Sequence, residues 1–274
     1  MIKAMLFALF IGLLLVGCGE SDQSNPDRVE DATADGVNWL TLQKRNGIMY
    51  LPTENTPFNG LAVSWYGRGR KQFEVTLKDG KMEGLWTKWY INGQKREEAN
   101  YKKGKKDGLW TEWYENGQKW SAENFKDGKR EGLFTSWYEN GQKSEESNWR
   151  DGKKHGPFIV SKQNGEKAYE KKYKNGKKDG LWTYWYYNGQ KREEVNWKND
   201  KMDGLTTGWY ENGQKRQEEN YKDRKLMSAV GWKPNGEKCP MTNVKDGNGL
   251  WVWYKEDGTE SFRKTYKNGE LVED

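Results

Sequence analysis

The stretch Gly108–Glu131, GLWTEWYENGQKWSAENFKDGKRE, decides the fold, because nearly the same series of residues recurs on both sides of it. An apolar and aromatic segment opens the stretch, and the chain then reverses at Asn116-Gly117. A more polar segment follows and reverses at Asp127-Gly128. An Asn-Gly pair between two short runs is a strong signal for a β-hairpin closed by a two-residue type I′ turn. Each repeat is therefore predicted to form one hairpin with such a turn at Asn116-Gly117.

The repeat is regular over most of the chain. Its opening glycines follow one another at a constant spacing, at Gly60, Gly84, Gly108, Gly132, Gly156, Gly180 and Gly204. Degenerate units precede and follow this series, as expected for the caps of a stacked array. The sequence predicts an all-β protein, an elongated antiparallel sheet of about nine tandem hairpins between roughly Val37 and Leu271.

The composition supports an array without a deep core. Charged residues make up 32% of the chain and hydrophobic residues 33%, with 16 Trp, 15 Tyr and 32 Gly. In a repeat array each unit contacts only its neighbours, so aromatic side chains can provide the burial that Leu, Ile and Val provide in an ordinary globule.

The N-terminus has the form of a secretory signal. A charge at Lys3 precedes an apolar segment, residues 4–16, that is too short to span a bilayer. The following Leu15-Val16-Gly17-Cys18 looks like the lipobox of bacterial lipoproteins, in which the chain is cut before the cysteine and Cys18 carries the lipid. An ordinary signal peptide or membrane anchor that happens to contain a cysteine is the alternative.

The polar segment after Cys18 predicts a tether between the lipid and the repeats. The predicted organisation is a signal peptide at 1–17, a disordered tether at 18–35, a degenerate first repeat at 36–59, regular repeats at 60–227 and degenerate C-terminal repeats at 228–274. The predicted localisation of the protein is the cell envelope, where it would be a lipid-anchored membrane protein. By resemblance to lipoprotein sorting, the outer membrane is favoured in a Gram-negative cell.

The repeat pattern resembles a known family. Gly, an aromatic pair, Asn-Gly, a glutamate-rich strand, an aromatic residue and Lys-Asp-Gly-Lys are similar to the MORN repeat variants of bacterial proteins that are grouped with YwqK-type toxin–antitoxin antitoxins. The stretch 57–66, PFNGLAVSWY, which contains Pro57, Phe58 and Gly60, is similar to the start of the repeats in that group. The resemblance implies antiparallel hairpins side by side in an elongated sheet.

Aromatic residues form columns when the units are stacked. If directly opposed residues share a face, Leu109, Thr111 and Trp113 lie with Gln118, Trp120, Ala122 and Asn124, and Trp110, Glu112 and Tyr114 lie on the other face. One reading is that the rings form the core. The other is that they stay accessible and bind a glycan, a quaternary ammonium group or a protein. The candidate binding ladder is Trp89, Tyr90, Trp113, Tyr114, Trp137, Tyr138, Trp185, Tyr186, Trp209 and Tyr210.

The sequence offers no catalytic constellation, so we expect a protein that is not an enzyme and uses no cofactor or metal. The only histidine, His155, occupies a turn position that is acidic in the other units. Cys239 is expected to be an unpaired buried thiol, with an intermolecular disulfide as the alternative. Neighbouring glutamates such as Glu145 and Glu146 point to opposite faces of a strand and cannot form an acid–base pair.

Lys and Glu alternate within most units, which is typical of a solvated surface that discourages edge-to-edge pairing. Nucleic acid is not expected as a partner in the envelope. The function that fits best is a non-enzymatic protein-binding or scaffolding surface anchored through Cys18. The alternatives are cell-wall glycan or choline-type binding through the aromatic ladder, and an antitoxin-like partner of a toxin.

The unit that begins at Gly156 breaks the aromatic columns, because Ser161 and Lys162 replace Trp and Tyr. Pro157 also removes a backbone donor from the start of the strand. We therefore expect a weak interface at 157–169 that divides the array into two cooperative blocks.

Overall fold

The computed structural model describes residues 36–272, and the described chain contains strands, turns and two short 3-10 helices, Trp39–Thr41 and Gly67–Gly69. The strands in chain order are β1 Val37–Asn38, β2 Gln43–Arg45, β3 Ile48–Tyr50, β4 Gly60–Tyr66, β5 Arg70–Lys78, β6 Lys81–Trp89, β7 Lys95–Lys102, β8 Lys105–Trp113, β9 Lys119–Lys126, β10 Lys129–Arg130, β11 Gly132–Trp137, β12 Lys143–Arg150, β13 Lys153–Ser161, β14 Lys167–Lys174, β15 Lys177–Lys178, β16 Gly180–Trp185, β17 Lys191–Lys198, β18 Lys201–Trp209, β19 Lys215–Lys222, β20 Lys225–Gly231, β21 Gly249–Tyr254, β22 Glu260–Lys267 and β23 Glu270–Leu271.

Eighteen of these strands form one sheet. β1 pairs in parallel with β4, and from β4 to β20 consecutive strands pair antiparallel. β10 and β11 are two parts of one repeat strand, as are β15 and β16, so β9 and β14 each pair with both parts. Two smaller sheets, β2-β3 and β21-β22-β23, lie at the ends of the chain. The predicted all-β array of tandem antiparallel hairpins is confirmed.

The turns between successive hairpin units, such as Asp127-Gly128, are the two-residue turns of this fold. Asp127 and Gly128 have φ values of 50° and 81°, and Lys126 pairs with Lys129 across them. Positive φ at both central residues is the requirement of a type I′ turn, which glycine meets without strain and Asp or Asn at small cost.

The turn predicted at Asn116-Gly117 is different, and that prediction was wrong. Gly117 has a φ of 86°, but Asn116 is not among the residues with positive φ. The Gly117 N–H donates to the Tyr114 carbonyl at 3.0 Å, and the Tyr114 N–H donates to the Gln118 carbonyl at 2.8 Å. This is a three-residue loop in which a type I turn is followed by a left-handed glycine. The Asn116 side chain stabilises the loop by accepting a hydrogen bond from the Gln118 N–H at 2.9 Å.

The pairing register was predicted correctly for the body of the hairpin but not beside the loop. Gly108 pairs with Phe125 and Thr111 with Ala122, as symmetric pairing requires. Trp113, however, pairs with Lys119, because the register shifts after Glu112. Trp120 therefore does not stand opposite Trp113, and its ring lies 6.5 Å from that of Tyr114.

Alternation along the strands gives the sheet two faces with different chemistry. We call one the aromatic face: it carries Trp110 on β8 and Phe125 on β9, whose ring centroids are 5.7 Å apart. The opposite face, the leucine face, carries Leu109 and Thr111 of the same β8 strand. Thr111 is buried, and so are the threonines at the same position in four other units, Thr87, Thr135, Thr183 and Thr207.

Aliphatic clusters close the array at both ends. Near the N-terminal end, a core of buried residues comprises Val37, Leu42, Met49, Phe58, Ala62, Val75 and Leu77. At the other end, Leu226, Ala229, Val244 and Trp251 are buried together, with Tyr221, Trp253 and Tyr266 packed against them. Backbone hydrogen bonds such as Leu226 N–H to the Gly269 carbonyl, at 3.0 Å, join β20 to the C-terminal segment.

Candidate functional site

The tyrosines of the predicted binding ladder connect successive repeats. The Tyr114 hydroxyl donates to the Trp137 carbonyl, 23 residues along the chain, at 2.8 Å. The same bond joins other neighbours: Tyr66 to Trp89, Tyr90 to Trp113, Tyr138 to Ser161, Tyr186 to Trp209 and Tyr210 to Trp232. We call these bonds the tyrosine clamps. Because each hydroxyl is occupied by the backbone, the tyrosines hold the array together.

The unit that lacks the tyrosine keeps the connection by another route. The Lys162 ammonium donates to the Tyr186 carbonyl at 2.9 Å and to the Tyr187 carbonyl at 3.0 Å. It also lies 3.0 Å from a Glu166 carboxylate oxygen. A longer cationic side chain thus replaces the phenol as the donor to the next repeat.

The tryptophans of the same ladder lie on the leucine face and are half-buried. The Lys95 ammonium of the preceding unit lies 5.9 Å from the centre of the Trp113 ring, and it forms an ion pair with Glu98. The arrangement recurs at Trp185, Trp209 and Trp232 with Lys167, Lys191 and Lys215. One side of these rings is therefore covered by a lysine.

A row of leucines runs beside the tryptophans. Leu85, Leu109, Leu133, Leu181 and Leu205 follow the opening glycine of their units, and they are 37% to 49% exposed. Leucines of adjacent units are two strands apart, or about 10 Å along the sheet, and Pro157 interrupts the row between Leu133 and Leu181. The sequence interpretation, which concentrated on aromatic columns, missed this row, although each of these leucines directly follows an opening glycine in the sequence.

The aromatic face combines rings with cations. Lys106, Arg130, Lys154 and Lys178 occupy the same position in four consecutive units, and each lies over at least two rings of this face. Burial lowers the pKa of Lys106 and Lys154 below the ordinary value for lysine. Carboxylates share the face, and the Arg130 guanidinium lies 2.6 Å from Glu123.

The edge formed by the two-residue turns between hairpin units is strongly basic. Lys or Arg residues face each other across seven successive turns: 78 and 81, 102 and 105, 126 and 129, 150 and 153, 174 and 177, 198 and 201, and 222 and 225. Directly opposed like charges destabilise a strand pair. All fourteen side chains are exposed, so water screens this repulsion.

The groups considered for catalysis have structural positions. His155 accepts a long hydrogen bond at Nδ1 from the Asn175 N–H at 3.4 Å, as the Glu131 carboxylate does from the Asp151 N–H at 2.8 Å. Cys239 is buried, with its Sγ 3.2 Å from the Tyr254 hydroxyl. Within residues 36–272, no three His, Cys, Asp or Glu side chains come together as a metal site would require.

Cys18, the predicted lipid attachment site, and the predicted signal peptide and tether lie outside the described residues. In the part that is described, no helix has the length and apolarity needed to cross a bilayer.

Five segments of the chain match the family described as MORN repeat variant. They are residues 82–103, 106–127, 130–151, 178–199 and 202–223. The segments follow the spacing of the opening glycines, except that the match passes over 154–175, the unit with Pro157 and Lys162. No curated protein matches the chain closely enough to be counted as a relative.

Proposed function

Because five of its hairpin units match the MORN repeat variant, we propose that this chain is a non-enzymatic, lipid-anchored binding protein of the bacterial envelope that holds a protein partner on its leucine face. The observation that carries the proposal is the row of five half-exposed leucines, in register with the tryptophans. Contiguous exposed apolar surface with a polar rim is typical of protein interaction sites.

The surroundings of the row favour a protein over the interior of a membrane. Lys–Glu ion pairs, such as Lys143 with Glu146 and Lys191 with Glu194, lie on the same face. Entry into a bilayer would strip water from these charges at high cost. At the rim of a protein interface they could stay hydrated.

The experiment places a photo-crosslinking amino acid at Leu109 or Leu133 in cells that make the full chain. We expect both positions to give the same discrete protein adduct. Leu40, which is 80% exposed and lies outside the row, is the matched control and should give none. Adducts of equal yield at all three positions, or adducts at none, would contradict the proposal. The identity of the adduct also decides whether the partner is a toxin, as the antitoxin-like alternative requires.

The anchor is tested separately. Cys18→Ser should leave an unprocessed precursor without attached lipid, because the cysteine is both the modified residue and the new N-terminus in the lipobox reading. Metabolic labelling with a fatty acid measures this directly. If the wild-type chain carried no label, the proposed lipid anchor would be contradicted, whereas the proposed binding face would not be affected.

A further inference from the structure

Three lysines converge on the aromatic face at the centre of the array. Lys154 lies on β13, Lys171 on β14 and Lys178 on β15, and we call them the lysine triad. The ammonium groups of Lys171 and Lys178 are 4.9 Å and 4.7 Å from the centre of the same Trp182 ring. Lys154 lies 5.4 Å from the centre of the Tyr173 ring, which is itself 5.4 Å from that of Trp182. The three charges therefore occupy one patch.

A continuous row of rings supports the triad. Neighbouring ring centroids are 5.3 to 6.1 Å apart along Tyr184, Tyr169, Phe158, Tyr173, Trp182 and Trp197. The Lys171 ammonium is 4.0 Å from the Tyr169 ring centre and the Lys178 ammonium 4.0 Å from that of Trp197. Packing against rings restricts these side chains, so their charges are held in place before any ligand arrives.

The triad has no ion-pair partner among residues 36–272, whereas Lys88 and Arg130 on the same face do. Arg130 pairs with Glu123 at 2.6 Å, and Lys88 with Glu97 at 3.5 Å. Burial lowers the pKa of Lys154 and the nearby Glu145 opposes that shift, but the Glu145 carboxylate accepts a hydrogen bond from Ser147 at 3.1 Å and is not within ion-pair distance of the triad.

The tyrosines of the patch are also free to donate. Unlike the hydroxyls of the tyrosine clamps, those of Tyr169, Tyr173 and Tyr184 have no hydrogen-bond partner in the described part of the chain. Ammonium groups only donate, and a phenol donates readily. The patch therefore presents many donors and calls for a ligand that is rich in acceptors.

Lys171 is the member of the triad that only this unit has, and it completes the triad. At the position of Lys171 the other repeats have Val75, Ala99, Glu123, Ser147, Val195 and Glu219, and the family match passes over this segment. Burial lowers the pKa of Lys171, and the neighbouring charges of Lys154 and Lys178 lower it further. An arrangement that disfavours its own charges would be stabilised by a bound anion.

We propose that the lysine triad binds an acidic glycan, a sugar chain that carries carboxylate, phosphate or sulfate groups. The anionic groups would meet the three ammonium ions, and the sugar oxygens would accept from the tyrosine hydroxyls. The flat C–H faces of sugar rings could pack against the partly exposed rings of the row, Tyr169, Tyr173, Tyr184 and Trp197. A quaternary ammonium ligand is disfavoured here, because three lysines repel it. This site lies on the opposite face from the proposed protein-binding surface and is independent of it.

The test is calorimetric titration of the full chain, in neutral detergent, with a carboxylated oligosaccharide such as an oligogalacturonide. A neutral oligosaccharide and oligodeoxythymidylate are titrated in parallel. We expect the acidic sugar to bind with an affinity that falls as salt is added, and the neutral sugar not to bind. Lys171→Ala should weaken binding by about tenfold, the scale of one lost charge-assisted hydrogen bond.

Lys172→Asn is the matched control, since it removes the same charge one residue away on the other face and restores the residue found at Asn148 and Asn196. It should leave binding within about twofold. Lys154→Gln provides a second loss of binding if Lys171→Ala disturbs the fold, which thermal melting would reveal. Absence of acidic-sugar binding, an equal loss in Lys172→Asn, or tighter binding of oligodeoxythymidylate would overturn the proposal.

Discussion

The tyrosine clamp is a single hydrogen bond that each repeat makes to the next. Tyr114→Phe removes the donor to the Trp137 carbonyl and leaves the ring in place. We expect the free energy of unfolding to fall by about 0.5–1.5 kcal/mol, as for an ordinary intramolecular hydrogen bond. Chemical denaturation measures it. Tyr187→Phe, at a tyrosine that is 82% exposed, is the control and should change stability by less than about 0.5 kcal/mol. Equal losses of unfolding free energy in Tyr114→Phe and Tyr187→Phe would show that the clamp does not contribute to stability.

Glu219 is a buried carboxyl group at the C-terminal end of the aromatic face. It is 3% exposed, and Tyr221 donates to its Oε2 at 2.7 Å. The pKa of Glu219 is raised from 4.5 to about 7, and the main cause is burial. The negative charge of Glu193 also raises this pKa, whereas the hydrogen bond from Tyr221 and the positive charge of Arg216 lower it. The folded state thus holds the proton more tightly than the unfolded chain.

This shift predicts a pH dependence of stability. The contribution of protonated Glu219 is fully present below pH 4.5 and is lost as the pH rises through about 7. The shift corresponds to about 3 kcal/mol at pH 8. Glu219→Gln should therefore match the wild type at pH 4.5 and exceed its unfolding free energy at pH 8. Denaturation at the two pH values measures the difference. A variant less stable than the wild type at pH 8 would contradict the shift.

At the scale of the hairpin, the sequence predicted more of the register than of the turn. Pairing the two segments symmetrically about Asn116-Gly117 is enough to place Leu109 opposite Asn124 and Thr111 opposite Ala122. The turn type depends on one backbone angle, and Asn tolerates both signs of φ. The Asn116 side chain accepts a hydrogen bond from Gln118, which fixes the three-residue loop, and the extra residue is absorbed where Trp113 pairs with Lys119.

The candidate site was less predictable from the sequence because it depends on contacts between repeats. The Trp–Tyr pairs were visible as columns, but nothing in one unit shows that Tyr90 donates to the carbonyl of Trp113. The lysine triad needs strands from two units to come together, and Lys171 is a single departure from the repeat. The accessibility of the Trp–Tyr ladder to a ligand stays a prediction.

We still expect a weak interface at the unit that begins at Gly156, although Lys162 restores one of the two contacts that this unit lacks. β13 pairs with both neighbouring strands, and Lys162 replaces the missing clamp. What remains absent is the ring at Ser161. We expect hydrogen exchange to show separate protection of residues 60–151 and of the units from Gly180 onward, with the fastest exchange at 157–169.

A double substitution in this unit would restore the missing members of the Trp and Tyr columns. Ser161→Trp with Lys162→Tyr should raise stability by about 1–3 kcal/mol, mostly from the new ring. Lys143 stands in the position from which Lys95 covers Trp113, so it can cover that ring too. Uniform exchange across the unit, or a destabilised double variant, would mean that the columns do not hold neighbouring units together.

For the whole molecule, the two aliphatic ends should set the order of unfolding. Leu226 is 1% exposed within the C-terminal cluster, and Leu226→Ala should cost about 2–4 kcal/mol. In a stack that interacts only with its neighbours, the loss stays local. Hydrogen exchange should therefore accelerate in β18–β20 before β5–β7. Leu205→Ala, at a half-exposed leucine, should leave the pattern nearly unchanged. Equal acceleration along the array would indicate one cooperative unit instead.

The tyrosine clamps all run in one direction, from a hydroxyl to a carbonyl about 23 residues later. The array therefore has a direction: each repeat donates a hydrogen bond to the repeat that follows it and accepts one from the repeat that precedes it. A copy of residues 108–131 inserted in frame would receive one clamp and give another, and would lengthen the sheet by about 10 Å. An insertion that is not a whole number of repeats would leave a tyrosine hydroxyl without its carbonyl partner in the next unit. The length of the sheet can consequently change only by whole repeats, so the number of repeats sets how far the array extends.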